Sequence, residues 1–211
     1  MLVIFDCDGV LVDSEALVNR VEATFLSAKG WSLSPLETRA LFKGKTTTDV
    51  IRAVRERTGA SDDEFYDLAM RTAQTLVDEL LPVPGIVDVL EHLHRRDVAM
   101  CVASQSPLAR VLISLKVCGI NSFFEGRVFT ASMVARPKPA PDLFIHAAHT
   151  LGFQPERCVV VEDSPTGVCA AVSAGMRVLG YAADESPEHL RAAGATTFTR
   201  MSELPALLGV T

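Results

Sequence analysis

The 211 residues are 48% hydrophobic and 22% charged, the balance of a globular chain with a sizeable core and not of a disordered or fibrous one. A net charge of -6 disfavours nucleic-acid or anionic-membrane partners, which would select a basic surface. No apolar run approaches the roughly 20 residues of a membrane span, and Asp6 and Asp8 interrupt any secretory signal. The five cysteines contain no Cys-x-x-Cys pair, and four of them sit in or beside apolar segments, which fits small core residues in a reducing, cytoplasmic setting.

The first predicted element is the apolar strand Leu2–Phe5, which runs straight into Asp6-Cys7-Asp8-Gly9. Two acids at spacing i, i+2 beside a glycine can share a divalent cation, can divide nucleophile and proton-transfer duties, or can simply turn the chain. Ser14 is expected to cap a helix carrying Leu17, Val21, Phe25 and Ala28 on one face and ending near Gly30. Ser34-Pro35-Leu36-Glu37 combines a capping box with a proline at the first helical position. Lys43 to Asp49 reads as a polar turn into a third helix that stops near Gly59, and Ser61-Asp62-Asp63-Glu64 starts a fourth. Residues 14–81 thus read as four helices without a strand, a unit inserted between 1–13 and 82–211.

Beyond Pro84 strands and helices alternate. A helix over 86–95 precedes the strand Val98–Ala103, and the turn Ser104-Gln105-Ser106-Pro107 opens a helix with Leu108, Val111, Leu112 and Leu115. Arg127–Thr130 is a short strand, followed by the proline-stiffened loop Arg136-Pro137-Lys138-Pro139. A helix through Phe144 to Gly152, the strand Cys158–Val161, a helix ending at Gly175 and the strand Arg177–Tyr181 come next. Thr196–Thr199 is expected as an edge strand before a short helix at 203–208. This alternation predicts βαβ units and a parallel sheet.

The polar groups fall where that sheet makes them meet. Asp6 and Asp8 follow the first strand, Ser104 the second, Lys138 the third candidate and Glu162-Asp163 the fourth. Singly, each is as easily a turn, cap or surface residue; together they occupy one edge of a parallel sheet, where ligands bind. Clustered carboxylates call for a cation, and an all-oxygen set suits Mg²⁺, which commonly bridges to phosphate. The hydroxyl of Ser104, the ammonium of Lys138 and the free N–H groups of the turn at Gln105 suit a bound anion. A metal site beside an anion site points to phosphoryl transfer.

Asp6-Cys7-Asp8-Gly9-Val10-Leu11-Val12-Asp13-Ser14 resembles the first signature of the haloacid dehalogenase superfamily. Ser104 resembles its second, Lys138 in Lys-Pro-Ala-Pro-Asp its third, and Glu162-Asp163-Ser164-Pro165-Thr166-Gly167 its fourth. The insert is similar to the helical cap of the phosphoglycolate phosphatase and β-phosphoglucomutase group. The resemblance implies an α/β fold, with a Rossmann-like parallel-sheet core and an inserted four-helix cap. It also implies a Mg²⁺-dependent phosphatase acting on a small phosphorylated metabolite through an aspartyl-phosphate, and a monomer. Asp6 would be the nucleophile and Asp8 the general acid and base, while Ser104, Gln105 and Lys138 hold the phosphoryl group. The metal would lie among Asp6, Asp8, Glu162 and Asp163. Gly44 and Lys45 in the cap are the expected substrate contacts. A phosphomutase is the alternative, although Val18 and Thr47 stand where the mutase relatives carry His and Arg. A phosphoacceptor signalling module is disfavoured by the helical insert. Phe42-Lys43-Gly44, Met100–Ser104, Phe144–Ala148 and Thr196–Thr199 are similar to segments of bacterial 6-phosphogluconate phosphatases.

Overall fold

Alternation along one short strand decides the architecture. In β1 (Leu2–Phe5), Leu2 and Ile4 point to one face of the sheet and Val3 and Phe5 to the other, and all four are fully buried. A strand covered on both faces reads as a continuous apolar run, and burying each such side chain stabilises the fold by about 1.5–3 kcal/mol. The structure, a computed structural model, describes residues 1–210.

β2 (Ala99–Ser104), β3 (Val128–Thr130), β4 (Cys158–Glu162), β5 (Arg177–Tyr181) and β6 (Thr196–Phe198) join β1 in a six-stranded parallel sheet of order β3-β2-β1-β4-β5-β6. The order reverses between β1 and β4, which places the ligand crevice outside their carboxyl ends. β1 pairs with β2 from Leu2 opposite Ala99 and with β4 from Leu2 opposite Cys158, so the polar residues after all three strands emerge side by side.

The helices α1 (Glu15–Ala28), α2 (Pro35–Phe42), α3 (Thr47–Thr58) and α4 (Asp62–Glu79) precede α5 (Ile86–Arg95) and α6 (Leu108–Val117). α7 (Asp142–Thr150), α8 (Pro165–Ser173), α9 (Pro187–Ala192) and α10 (Leu204–Leu208) follow. α5, α6 and α10 bury Leu90, Leu115 and Leu204 against Val3 and Phe5; α7, α8 and α9 bury Phe144, Val168 and Leu190 against Leu2 and Ile4. The block α1–α4 has its own apolar cluster of Leu26, Phe42, Val54, Ala60 and Phe65. Its two connections to the sheet run side by side: Asp13 N–H donates to the Leu81 carbonyl at 3.0 Å and Val83 N–H to that of Leu11 at 3.1 Å. Val12 and Pro82 form the antiparallel bridge between them.

The capping boxes at Ser34 and Ser61 are both present. Three local expectations are corrected. Ser14 makes no side-chain cap bond to α1, because its hydroxyl donates to the Asp8 carboxylate instead. Thr47–Asp49 is helix and not turn, since the Thr46 hydroxyl accepts from Asp49 N–H and starts α3 there. α9 was not expected at all. Cys7, Cys101 and Cys158 are buried as core residues, whereas Cys169 is exposed. Among the described residues no helix is long and apolar enough to cross a membrane.

Candidate active site

Asp6 is the first residue past β1, and its N–H still donates to the Val161 carbonyl of β4 at 2.9 Å, which fixes its backbone between the two strands. The chain then doubles back: the amides of Leu11 and Val12 both donate to the Cys7 carbonyl, at 2.9 and 3.1 Å. Gly9 makes that turn possible with φ +80°, and a Cβ there would meet the Asp163 carboxylate at 2.5 Å. The loop and the end of β4 are therefore packed as one piece.

Lys138 is the hub of the buried charges. Its ammonium donates to Asp6 Oδ1 at 2.6 Å, to Glu162 Oε1 at 2.7 Å and to the Ala103 carbonyl at 2.9 Å, using all three N–H groups. It is 5% exposed and lies 4.7 Å from the Phe144 ring centroid. Burial alone would lower its pKa, but Asp6 and Glu162 outweigh that and hold the ammonium charged. Burial pushes Asp6 well above the usual carboxylate range; Lys138 opposes the shift, and Glu162 and Asp163 add to it.

Asp8 has the opposite electrostatics. Its oxygens accept from Arg110 Nη2 at 2.9 Å, from the Ser106 hydroxyl at 2.7 Å and from the Ser14 hydroxyl. Burial favours its neutral form, yet Arg110 and the two serines together bring its pKa below the ordinary value. Ser104 ends β2, is 1% exposed, and accepts from Ser106 N–H at 3.1 Å.

Glu162 has no free oxygen. Oε1 accepts from Lys138, and Oε2 from both the N–H and the hydroxyl of Ser164 at 2.9 Å. Asp163 points the other way, into the helical block, where Lys43 Nζ lies 2.9 Å from its Oδ2. Burial, with Glu162 and Glu15 adding to it against Lys43, pushes the Asp163 carboxyl up to about 7. Lys43 also faces Glu15 at 3.3 Å and Glu185 at 3.8 Å. The Gly44 carbonyl accepts from Gln105 Nε2 at 2.6 Å, a second contact between the block and the sheet edge. Lys45 is exposed and stands over the Phe42 ring at 5.7 Å.

The raised pKa values of Asp6 and Asp163 mark a donor set short of positive charge, which a divalent cation fits. Among the described residues no three His, Cys, Asp or Glu side chains form a ready-made cage. Mg²⁺ does not require one, since it is held by one or two carboxylates and keeps several waters.

Asp6, Asp8, Ser104, Gln105, Gly44, Lys45, Lys138, Glu162 and Asp163 all line one cavity of about 470 Å³ between the sheet edge and the block α1–α4. Sequence reasoning passed over Arg110 and Glu22, which line it too, and gave Lys43 and Ser106, which lie in the segments it singled out, no role of their own. Lys43 sits in the same loop as Lys45, and Arg110 lies in the first turn after Ser104. Their spacing alone offered no signal, because their partners are distant in sequence.

The family profile described as haloacid dehalogenase-like hydrolase matches residues 3–181. A 6-phosphogluconate phosphatase of Escherichia coli K12 is 31% identical over 208 residues, covering 97% of this chain and 93% of its own. Hexitol phosphatase A of the same organism is 32% identical over 179 residues, covering 83% and 80%. Among solved structures, a HAD family hydrolase from Deinococcus radiodurans with bound phosphate and sodium superposes with a TM-score of 0.79. It is 30% identical and covers 99% of this chain and 94% of its own.

Proposed function

Because this chain belongs to the haloacid dehalogenase-like hydrolase family, we propose that it is a Mg²⁺-dependent phosphatase of a small sugar phosphate or sugar-acid phosphate, with residues 14–81 as a cap over the catalytic core. The observation that carries the reading is the contrast between the two acids of one loop. Asp6 is paired with a buried ammonium at 2.6 Å, and Asp8 two residues on is held by three separate donors. Two carboxylates in such different surroundings suit two different jobs.

Asp6 attacks the phosphorus and becomes an aspartyl-phosphate while the ester oxygen leaves. Asp8 serves the leaving oxygen as general acid and then takes a proton from the water that hydrolyses the acyl phosphate. For the first job the substrate must draw Arg110, Ser106 or Ser14 away, because these donors otherwise hold Asp8 ionised. Ser104 holds the transferring phosphoryl oxygens, and Lys138, which keeps Asp6 oriented, joins it by giving up one of its three bonds to the protein. Glu162, with both oxygens engaged, positions Lys138. Asp6, Asp163 and the backbone carbonyl of Asp8 would hold Mg²⁺, which when bound neutralises charge on the transferring group. The relatives named for 6-phosphogluconate and hexitol phosphates support a polyhydroxylated substrate.

The test is phosphate release from p-nitrophenyl phosphate with and without Mg²⁺. Release that requires the metal and disappears in Asp6→Asn supports the reading. Activity surviving Asp6→Asn would remove Asp6 as nucleophile.

A further inference from the structure

The cavity wall carries polar groups that phosphoryl transfer leaves unused. Arg110 donates to Asp8 through Nη2, but its Nε–H is buried without an acceptor. Gln105 donates to Gly44 through Nε2, and its Oε1 is buried without a donor. Glu22 projects from α1 into the same cavity, close enough to Arg110 for the two charges to interact, and has no hydrogen-bond partner among the described residues. These are a buried orphan donor and a buried orphan acceptor, beside a half-buried carboxyl. Leaving buried polar groups unpaired is costly, so the persistence of the first two beside an active site asks for a ligand that completes them.

The chemistry of that ligand follows from the inventory. A carboxylate only accepts, so it would satisfy Arg110 Nε and leave Gln105 Oε1 and Glu22 unmet. A hydroxyl donates one hydrogen and accepts at two lone pairs, so a short row of hydroxyls answers all three groups. Charge agrees with this. Arg110 already faces Asp8 and Glu22, and a further anion would enter a wall where acids outnumber the cation. Of the other cations on that side, Lys43 and Arg39 are taken by Asp163 and Glu15, and Lys45 is exposed. Burial raises the Glu22 carboxyl to about 7 against the pull of Arg110, and either protonation state can bond a hydroxyl.

We propose that Glu22, Arg110 and Gln105 read hydroxyl groups on the leaving group, so that the enzyme selects phosphates of uncharged polyols or sugars over monoesters carrying a carboxylate at that end. The assignment rests on the phosphatase reading and narrows it.

The test compares kcat/KM for glucitol 6-phosphate, 6-phosphogluconate and p-nitrophenyl phosphate in the wild type, Glu22→Leu and Glu22→Gln. The wild type should favour glucitol 6-phosphate over 6-phosphogluconate by tenfold or more. Glu22→Leu should lower the ratio of glucitol 6-phosphate to p-nitrophenyl phosphate efficiency by about 10- to 100-fold, chiefly through KM. Glu22→Gln should recover most of it, and Glu22→Leu should narrow the gap to 6-phosphogluconate. A wild-type preference for 6-phosphogluconate, or variants that depress all three esters in proportion, overturns the proposal. Failure of the wild type to release phosphate from any ester removes the phosphatase reading instead. Calorimetric binding of the two sugar esters to Asp6→Asn then decides: tighter binding of glucitol 6-phosphate that Glu22→Leu abolishes supports the hydroxyl site, and equal affinities overturn it.

Discussion

Asp163 should make the metal-free protein less stable as pH rises, and removing its charge should reduce that slope. Its carboxyl is 11% exposed in the side chain and is raised from 3.8 to about 7, foremost by burial. A carboxyl whose folded pKa lies above its unfolded one binds more protons folded than unfolded. The stability it contributes is fully present below about pH 3.8 and is lost as pH rises through about 7. The gap is about 3 pH units at about 1.4 kcal/mol each, or about 4 kcal/mol in all, of which about 2 kcal/mol falls between pH 5.5 and 8. In a chain of this size that is about 4–8 °C in Tm. Thermal melts in chelator at pH 5.5 and 8 read it directly. Other acids titrate in both proteins, so the comparison with Asp163→Asn isolates this one: the variant should lose less stability over the interval. Mg²⁺ should raise the wild-type Tm more at pH 8 than at 5.5, because there it no longer competes with a proton. Identical pH slopes for the wild type and Asp163→Asn would refute the reasoning.

Lys138→Met removes the ammonium that holds two buried carboxylates at 2.6 and 2.7 Å. Breaking such a cluster should cost about 3–5 kcal/mol and abolish phosphate release; a variant melting within a degree or two of the wild type contradicts the hub role. Gly167→Ala sets two effects against each other. Alanine gains about 1 kcal/mol of helix propensity in α8, but its Cβ would overlap the Glu162 carboxylate. Overpacking at about 1–3 kcal/mol should win, so urea melts should show net destabilisation with reduced turnover. Ser14→Ala should barely change stability through α1, since the hydroxyl caps nothing there. Losing a donor to Asp8 should instead move the limb of the kcat/KM pH profile assigned to Asp8 upward. A lowered Tm with an unmoved limb would restore the capping role.

What the sequence made legible was whatever depends on neighbours in the chain. Leu2–Phe5 announces a doubly covered strand because every residue in it is apolar, and Ser34 and Ser61 announce helix starts because their capping partners are three residues on. The same rule placed Asp6, Ser104, Lys138 and Glu162 at one edge, since a parallel sheet aligns its strand ends. Ser14 shows where the rule stops. Its hydroxyl had a local use, and a carboxylate six residues upstream took it. Arg110, Glu22 and Lys43 were illegible for the same reason: each has an unremarkable helix or loop setting, and its meaning comes from a group brought in by tertiary packing. α9 had a visible signal, Ser186-Pro187 ahead of Leu190, but only six residues in which to show a period.

The paired connections at Val12 and Pro82 make the helical block an attachment on a single stem. Because the outgoing and returning strands hydrogen-bond to each other, cutting both at that level leaves two ends already side by side, with no sheet strand interrupted. Blocks of different length and lining can therefore be exchanged there without re-threading the core, during evolution or on the bench. Transplanting residues 14–81 onto a relative's sheet would carry Glu22, Lys43 and Lys45 across while leaving Arg110 and Gln105 behind. Substrate choice is thus written half in the portable piece and half in the fixed one, and a graft would have to match the two.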